Sequence, residues 1–209
     1  MFKVIINLSV LLLLSLPIVE QDHADSNIMD KSIKIEYYGQ AAFGITTSNG
    51  TKIIIDPANF KGYKMPTGVT ADIVTVSHEH IDHNAINTVS GSPIIFHGTD
   101  EKCRTINPLD TTINDVRLYS VPSFHDPGHH GVNAIFVFAF DGIRLVHMGD
   151  IGTTLTEDQI KAIGEVDILM IPVGGHYTVE LAQADSIVNQ LNVKQMVIPM
   201  QDLLQDNYL

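Results

Sequence analysis

Five side chains that can bind a metal ion crowd into the segment SHEHIDH, residues 77–83. In an extended segment His78 and His80 point to the same side of the chain, and two imidazoles on one side can bind one cation through nitrogen. Asp82 and His83 follow where the chain must turn, so they can reach a second position nearby. Imidazole and carboxylate together favour zinc, with manganese or iron as alternatives. The pattern predicts a centre for one or two metal ions, and a solvated histidine-rich loop is the alternative.

The segment before this cluster is the element that must position it. Residues 71–77, ADIVTVS, are apolar enough for a β-strand that is buried on both faces. In α/β folds, functional residues usually follow the carboxyl ends of such strands. We therefore expect the metal centre at one edge of a sheet.

Two hairpin turns organise the other early strands. Residues 32–57 alternate apolar and polar residues in two runs, and Asn49-Gly50 between them predicts a tight turn. Residues 133–150 predict two further strands around a second turn at Asp141-Gly142. The first part of the chain therefore predicts an antiparallel sheet.

Helices alternate with strands after residue 150. Thr156 and Gln159 form a capping-box pattern, so a short helix should begin there and end at Gly164. Residues 178–192 place their apolar side chains near one face of a second helix. Together with the earlier strands, this alternation predicts a single α/β domain.

The acidic composition disfavours polyanionic partners. The chain has 209 residues, and its 24 Asp and Glu against 12 Lys and Arg give a formal net charge of −12. Such a charge repels nucleic acid, so we expect no nucleic-acid partner. The single cysteine, Cys103, cannot form an intrachain disulfide and is expected to be an inert thiol.

Residues 1–24 predict an export segment. Lys3 precedes a mostly apolar run from Val4 to Val19, which is shorter than the roughly 20 residues of a spanning helix and typical of a signal peptide. An uncleaved N-terminal anchor is the alternative, and it would be the protein's one contact with a membrane. In both cases we expect export, to the periplasm or the extracellular space.

Several segments resemble the metallo-β-lactamase superfamily. SHEHIDH matches its H-x-H-x-D-H signature, and VPSFHD and HMGDIG are similar to the segments that carry a further histidine and a bridging aspartate. The resemblance covers nearly all of residues 33 to 201. It implies an α/β fold of the αββα sandwich type, with residues 30–209 as one hydrolase domain. LMIPVGGHYTV and MVIPM look like one branch, the small metal-dependent hydrolases related to L-ascorbate-6-phosphate lactonase.

The resemblance also implies which residues bind the metal and what they do. It assigns His78, His80 and His125 to a first ion and Asp82 and His83 to a second ion. It assigns Asp150 to both ions. The implied activity is hydrolysis of a small-molecule ester, lactone or phosphodiester by a metal-bound hydroxide. Asp82 would act in catalysis by orienting the attacking water or accepting its proton.

One position departs from the family pattern. The family usually completes its ligand set with a histidine after the last strand, where this chain has Gln201. An amide oxygen is a weaker zinc ligand than imidazole, so the second position would be weak, would take a harder ion or would stay empty. His176 could substitute as a ligand, whereas His129 and His130 are expected on an exposed loop. A degenerate, non-catalytic metal- or ligand-binding domain of the same fold is the alternative function.

Four further polar residues near the predicted ligands are not expected to bind the metal themselves. His147 should pack or hydrogen-bond near Asp150, and Asp56 should fix a loop or a ligand histidine. His97 ends a strand and is expected to be structural. Glu79 alternates away from its histidine neighbours and should face elsewhere.

Overall fold

The computed structural model describes residues 32–60, 62–126, 128–175 and 177–200. The predicted export segment and two possible ligands, His176 and Gln201, lie outside these residues. Within the described part, no helix is both long enough and apolar enough to cross a membrane.

The first half of the described chain forms one five-stranded sheet and a small separate ribbon. Its strands are β1 (Lys34–Gly39), β2 (Ala42–Thr46), β3 (Lys52–Ile55), β4 (Asn59–Phe60), β5 (Tyr63–Lys64), β6 (Ile73–Val76) and β7 (Ile94–His97). The sheet order is β1-β2-β3-β6-β7, antiparallel up to β3 and parallel beyond it, while β4 and β5 pair only with each other. A 3-10 helix at Ile86–Thr88 connects β6 to β7.

The turns of this sheet correct the prediction in one place. The predicted turn at Asn49-Gly50 is confirmed, because residues 47–51 join β2 to β3 and Gly50 has a φ of +89°. The sequence predicted only two runs here, whereas the structure contains three strands. The additional reversal lies at Gly39 and Gln40, which have φ values of +107° and +52°.

The second half of the described chain forms a six-stranded sheet with two helices. Its elements are β8 (Asp110–Ile113), β9 (Val116–Phe124), β10 (Val132–Phe140), β11 (Ile143–His147), α1 (Glu157–Ile163), β12 (Ile168–Pro172), α2 (Leu181–Leu191) and β13 (Met196–Met200). The order is β13-β12-β11-β10-β9-β8, parallel from β13 to β11 and antiparallel beyond. The predicted turn at Asp141-Gly142 is confirmed, with both residues at positive φ.

The two sheets pack face to face as a sandwich. Phe43 and Ile55 of the first sheet share one buried cluster with Phe136 and Leu145 of the second. Helices α1 and α2 cover the outer face of the second sheet through a separate apolar cluster. Connecting segments, including the one that carries Met65, cover the outer face of the first sheet. Among the described residues, no α-helix lies on that face.

Helix α1 begins and ends where its sequence signals place it, whereas α2 begins three residues after the start of the predicted segment 178–192 and ends one residue before its end. Thr156 and Gln159 form the predicted capping box of α1, and Gly164 follows its last turn. Glu180 and Gln183 form a second capping box at the start of α2. These caps satisfy backbone N–H groups that the first helical turn leaves unpaired, and so fix where each helix starts.

Candidate metal centre

Three strand ends bring the predicted ligands together. β6 is buried on both faces, as predicted, and leads directly into residues 77–83. His125 follows the end of β9, and Asp150 comes three residues after the end of β11. Because β6 belongs to the first sheet while β9 and β11 belong to the second, the site combines residues from both layers.

Three histidines form the first group of candidate ligands. One ring nitrogen from each of His78, His80 and His125 lies within 4.8 Å of the others. His78 Nε2 and His80 Nδ1 are 3.0 Å apart, and the ring centroid of His125 is 4.7 Å from each of the other two centroids. Zinc–nitrogen bonds of about 2.0–2.1 Å place tetrahedral ligand atoms about 3.3 Å apart. The three rings are therefore spaced as they would be around one ion.

A second group shares one histidine with the first. It consists of His78, His83 and Asp150. Asp150 Oδ2 lies 3.3 Å from His83 Nε2 and 3.5 Å from His125 Nε2, so one oxygen stands between the two groups. Asp82 Oδ2 is 3.8 Å from His83 Nε2. All six residues assigned to the metal by resemblance therefore lie in one cluster.

Asp56 and Ser77 hold two of these histidines in place. Asp56, buried after β3, accepts hydrogen bonds from Ser77 N at 2.7 Å, Ser77 Oγ at 2.6 Å and His83 Nδ1 at 2.9 Å. Because the Ser77 hydroxyl donates its proton to Asp56, it accepts from His78 Nδ1, 3.0 Å away. His78 and His83 therefore carry a proton on Nδ1, and each turns Nε2 toward the other ligands. The expectation that Asp56 fixes a ligand histidine is confirmed.

Burial and charge shift the histidine pKa values in opposite directions. Burial lowers the pKa of His78 well below its ordinary value, and nearby histidines add to the effect. Burial likewise lowers the pKa of His80. For His83 burial also favours the neutral ring, but Asp150 and Asp56 outweigh it and raise the pKa well above its ordinary value. In the metal-free protein at neutral pH, His83 is therefore protonated, whereas His78 and His80 are neutral.

Asp150 keeps its negative charge in this environment. Burial by itself would raise its pKa, but the charge of His83 and the closeness of the His83 and His125 ring nitrogens, 3.3 and 3.5 Å from Oδ2, hold the pKa well below its ordinary value. The Asp150 side chain is 17% exposed and that of Asp82 24%, whereas His83 is fully buried. The cluster is therefore closed on the His83 side and open to solvent beside Asp82.

The donor set fits a bound metal ion. His125 Nε2 is buried and has no hydrogen-bond partner among the described residues. A buried ring nitrogen without a partner is unfavourable unless another group, such as a cation, binds it. Neutral imidazoles and carboxylates are the ligands of zinc and of related transition metals.

Three other histidines of the described residues, His97, His129 and His130, lie outside this cluster. His129 and His130 are exposed, as predicted, and neither belongs to a potential metal-binding group found in the described residues. His97 Nδ1 lies 2.6 Å from Glu79 Oε1. Glu79 therefore faces away from its two histidine neighbours, as its alternation predicted.

His147 supports the loop that carries Asp150. It is fully buried, its Nε2 donates to the carbonyl of Ala41 at 3.0 Å, and its Nδ1 accepts from the N–H of Gly149 at 3.2 Å. This agrees with the predicted supporting role. Cys103 is buried, and its sulfur accepts the backbone N–H of residue 79 at 3.3 Å.

Three polar residues of the site were not predicted. Ser77 orients His78, and Asn133 accepts a hydrogen bond from Asp150 N at 3.0 Å. Gln40 Nε2 lies 2.5 Å from Asp82 Oδ2. The available signal was a polar residue inside or directly after an otherwise apolar strand, as with Asn133 and Ser77, whereas nothing in the sequence pointed to Gln40.

A two-sheet sandwich with a His/Asp cluster at its strand ends defines a protein of the metallo-β-lactamase fold. Residues 34–201 match the family model described as the beta-lactamase superfamily domain. The chain belongs to this family, as the resemblance implied. The narrower resemblance to L-ascorbate-6-phosphate lactonase stays a prediction.

Three similar proteins carry names of one functional class. A metal-dependent hydrolase of Thermococcus kodakarensis is 31% identical, over 80% of this chain and 84% of its own length. A metal-dependent hydrolase of Carboxydothermus hydrogenoformans is 28% identical, with the same coverage of 80% and 84%. A solved structure from Thermotoga maritima, a candidate Zn-dependent hydrolase of the metallo-β-lactamase superfamily, is 35% identical with a TM-score of 0.67, over 85% of this chain and 79% of its own.

Proposed function

We propose that this chain is a metal-dependent hydrolase that cleaves an ester, a lactone or a phosphodiester in a small molecule. The observation that supports this proposal is the pair of ligand groups that share His78 and place one oxygen of Asp150 between them. Two adjacent groups of this kind suit a pair of cations acting on one substrate. The names of the relatives support the same class of activity.

Zinc is the proposed metal, with manganese and iron as alternatives, because neutral imidazoles dominate the donor set. When bound, such an ion supplies a Lewis acid and brings the pKa of a bound water close to neutrality. The proposed ligands of a first ion are His78, His80 and His125. Those of a second ion are Asp82, His83 and Asp150.

Asp82 is the proposed catalytic residue. Its carboxylate lies beside His83 on the open side of the cluster, where a substrate can reach it. There it would orient the attacking water, accept a proton at a carboxylate oxygen and return that proton to the leaving group. Asp150 is less exposed and lies between two ligand histidines, which suits a purely ligating role.

Composition supports two further parts of the proposal. The net charge of −12 disfavours nucleic acid as a substrate or partner. The apolar run in residues 1–24 supports export to the periplasm or the extracellular space, with membrane contact only if that segment is retained.

Metal analysis followed by an activity screen tests this proposal. The full chain is purified, its metal content is measured, and the zinc- and manganese-loaded forms are assayed on ester, lactone and phosphodiester panels. We expect turnover of at least one of these substrate classes. This activity should disappear when the metal is chelated and in the Asp82→Ala variant, whereas the exposed control variant His130→Ala should keep it. A protein that holds metal yet turns over none of these classes would instead support the non-catalytic binding domain.

A further inference from the structure

The turn between β1 and β2 holds a glutamine in an unusual backbone conformation. Gln40 has a φ of +52°, directly after Gly39 at +107°. Residues with a side chain adopt this left-handed conformation infrequently, and those that do cluster at functional sites. A glycine or an asparagine at this turn would need no special explanation, but a glutamine does.

The backbone around Gln40 is fixed from several sides. The Tyr37 hydroxyl donates to the carbonyl of Gln40 at 3.1 Å, and buried His147 donates to the carbonyl of Ala41 at 3.0 Å. The Tyr63 ring fills the space beside Gly39, where an added Cβ would come within 2.3 Å of a ring carbon. The turn therefore presents the Gln40 side chain in one place.

That side chain reaches two proposed ligands of the second ion, Asp82 and His83. Gln40 Nε2 lies 2.5 Å from Asp82 Oδ2 and 3.4 Å from His83 Nε2. Because an ionised carboxylate only accepts hydrogen bonds, the amide group that faces Asp82 is the donating NH₂. The other amide atom, Oε1, is buried and has no hydrogen-bond partner among the described residues. The contact with Asp82 is kept although it leaves the buried Oε1 without a partner in the described part of the chain, which is unfavourable.

We propose that Gln40 is a positioning residue for the second metal ion, and that it acts by holding the carboxylate of Asp82 beside His83. This inference rests on the proposed two-ion hydrolase. A neutral amide suits the task, since it donates to one carboxylate oxygen and leaves the other oxygen free for a cation. A lysine or arginine at the same place would bring a positive charge that repels the incoming ion.

The role differs from that of a metal ligand. If the amide were turned so that Oε1 bound the ion, that oxygen would stand 2.5 Å from Asp82 Oδ2, too close for two oxygens with no proton between them. A positioning residue acts only through Asp82, whereas a ligand would act also when Asp82 is removed. The two roles can therefore be separated by a double-mutant cycle.

The test measures binding of each ion to the full chain by titration with zinc, and with Co²⁺, whose visible spectrum reports ligand geometry. Gln40→Met keeps the length and apolar stem of the side chain but removes the donor. We expect an affinity for the second ion about 10–100-fold lower, the usual effect of losing an outer partner of a ligand. First-ion affinity should change less, since the contacts of the Gln40 side chain among the described residues are with Asp82 and His83, proposed ligands of the second ion. Gln40→Ala serves as a second variant.

A matched control removes the same type of hydrogen bond elsewhere. Gln195 Nε2 donates to Asp167 Oδ1 at 3.1 Å on an exposed surface outside the cluster. Gln195→Ala should leave the binding of both ions and the Co²⁺ spectrum unchanged. Unfolding midpoints of all metal-free variants show whether a loss of binding reflects loss of the fold.

Three results would overturn the inference. Unchanged second-ion affinity in Gln40→Met removes the proposed role alone. An effect of Gln40→Met that persists in the Asp82→Ala background makes Gln40 a ligand rather than a positioning residue. A wild-type protein that binds only one ion under all conditions overturns both the proposed two-ion centre and the role of Gln40.

Discussion

The two halves of the metal centre differ in how their ligands are charged before an ion binds. The first group consists of imidazoles, and burial holds the pKa values of His78 and His80 below the ordinary value. Beside the shared His78, the second half contains the carboxylates of Asp82 and Asp150 and also His83, whose pKa Asp150 and Asp56 raise well above the ordinary value. The first half is therefore ready to bind a cation at neutral pH, whereas the second must first release a proton.

The two halves also differ in how their side chains are fixed. His83 and Asp82 each have a partner outside the ligand set, Asp56 at 2.9 Å and Gln40 at 2.5 Å. In the first half, Ser77 fixes His78, and His125 Nε2 has no hydrogen-bond partner among the described residues. We infer that both positions depend on residues that orient their ligands, the first through Asp56 and Ser77 and the second through Asp56 and Gln40.

The largest expected effect comes from the residue that both halves share. His78→Ala should lower the affinity for both ions, by more than the about 10–100-fold that is typical of losing an outer partner. The reason is that His78 belongs to both ligand groups. Elemental analysis after dialysis measures the bound metal, and the exposed His130→Ala variant is the control. A His78→Ala protein that still holds two ions would show that the groups do not act as metal sites.

The second-largest effect on metal affinity should come from Asp56, which binds no ion itself but helps to fix ligands of both halves. Asp56→Asn removes the charge that orients His83 and receives the Ser77 hydroxyl, yet asparagine tolerates the φ of +45° at this position. We expect affinities about 10–100-fold lower for both ions. Asp72→Asn, whose carboxylate accepts a backbone N–H at the surface, is the matched control. An effect confined to one ion would contradict the view that Asp56 organises both halves.

The ligands could be predicted from the sequence because their chemistry is local. Four of the six lie within residues 78–83, and the family resemblance assigns His125 and Asp150. The turns at Asn49-Gly50 and Asp141-Gly142 were predictable as well, since these residues favour positive φ. The sandwich arrangement was predicted from the family resemblance. The spacing of apolar residues predicts individual strands and helices but not how they pack together.

Asp56 and His147 were expected in supporting roles, whereas Ser77, Asn133 and Gln40 were not, because their partners are distant in sequence. Ser77 and Asp56 are 21 residues apart, and Gln40 and Asp82 are 42 apart. The turn at Gly39 and Gln40 was missed for a local reason. Glutamine is not a typical residue at positive φ, so the alternating segment gave no signal of a reversal there.

Proton release should distinguish the two ions. Because His83 is protonated before metal binding, the second ion should displace about one proton more than the first. Its affinity should then rise by up to about tenfold per pH unit around neutral pH, below the raised pKa of His83, while that of the first ion changes less. Calorimetric titration in buffers of different ionisation enthalpy counts the protons. Equal proton release for both ions would remove the proposed difference in charge.

The smallest expected effect concerns stability and tests whether the turn at Gln40 is strained. Gln40→Gly and Gln40→Ala both remove the amide, but only glycine adopts a φ of +52° without a steric cost. We therefore expect the glycine variant to be more stable than the alanine variant by about 0.5–1 kcal/mol, measured by urea unfolding with chelator present. Both variants should bind the second ion more weakly than the wild type. If glycine is the less stable of the two, the left-handed turn is not strained, and the presence of glutamine there depends on its side chain alone. If the glycine variant is more stable than the alanine variant, the left-handed turn is strained by any side chain. The protein then keeps a destabilising glutamine at the position from which its amide reaches Asp82.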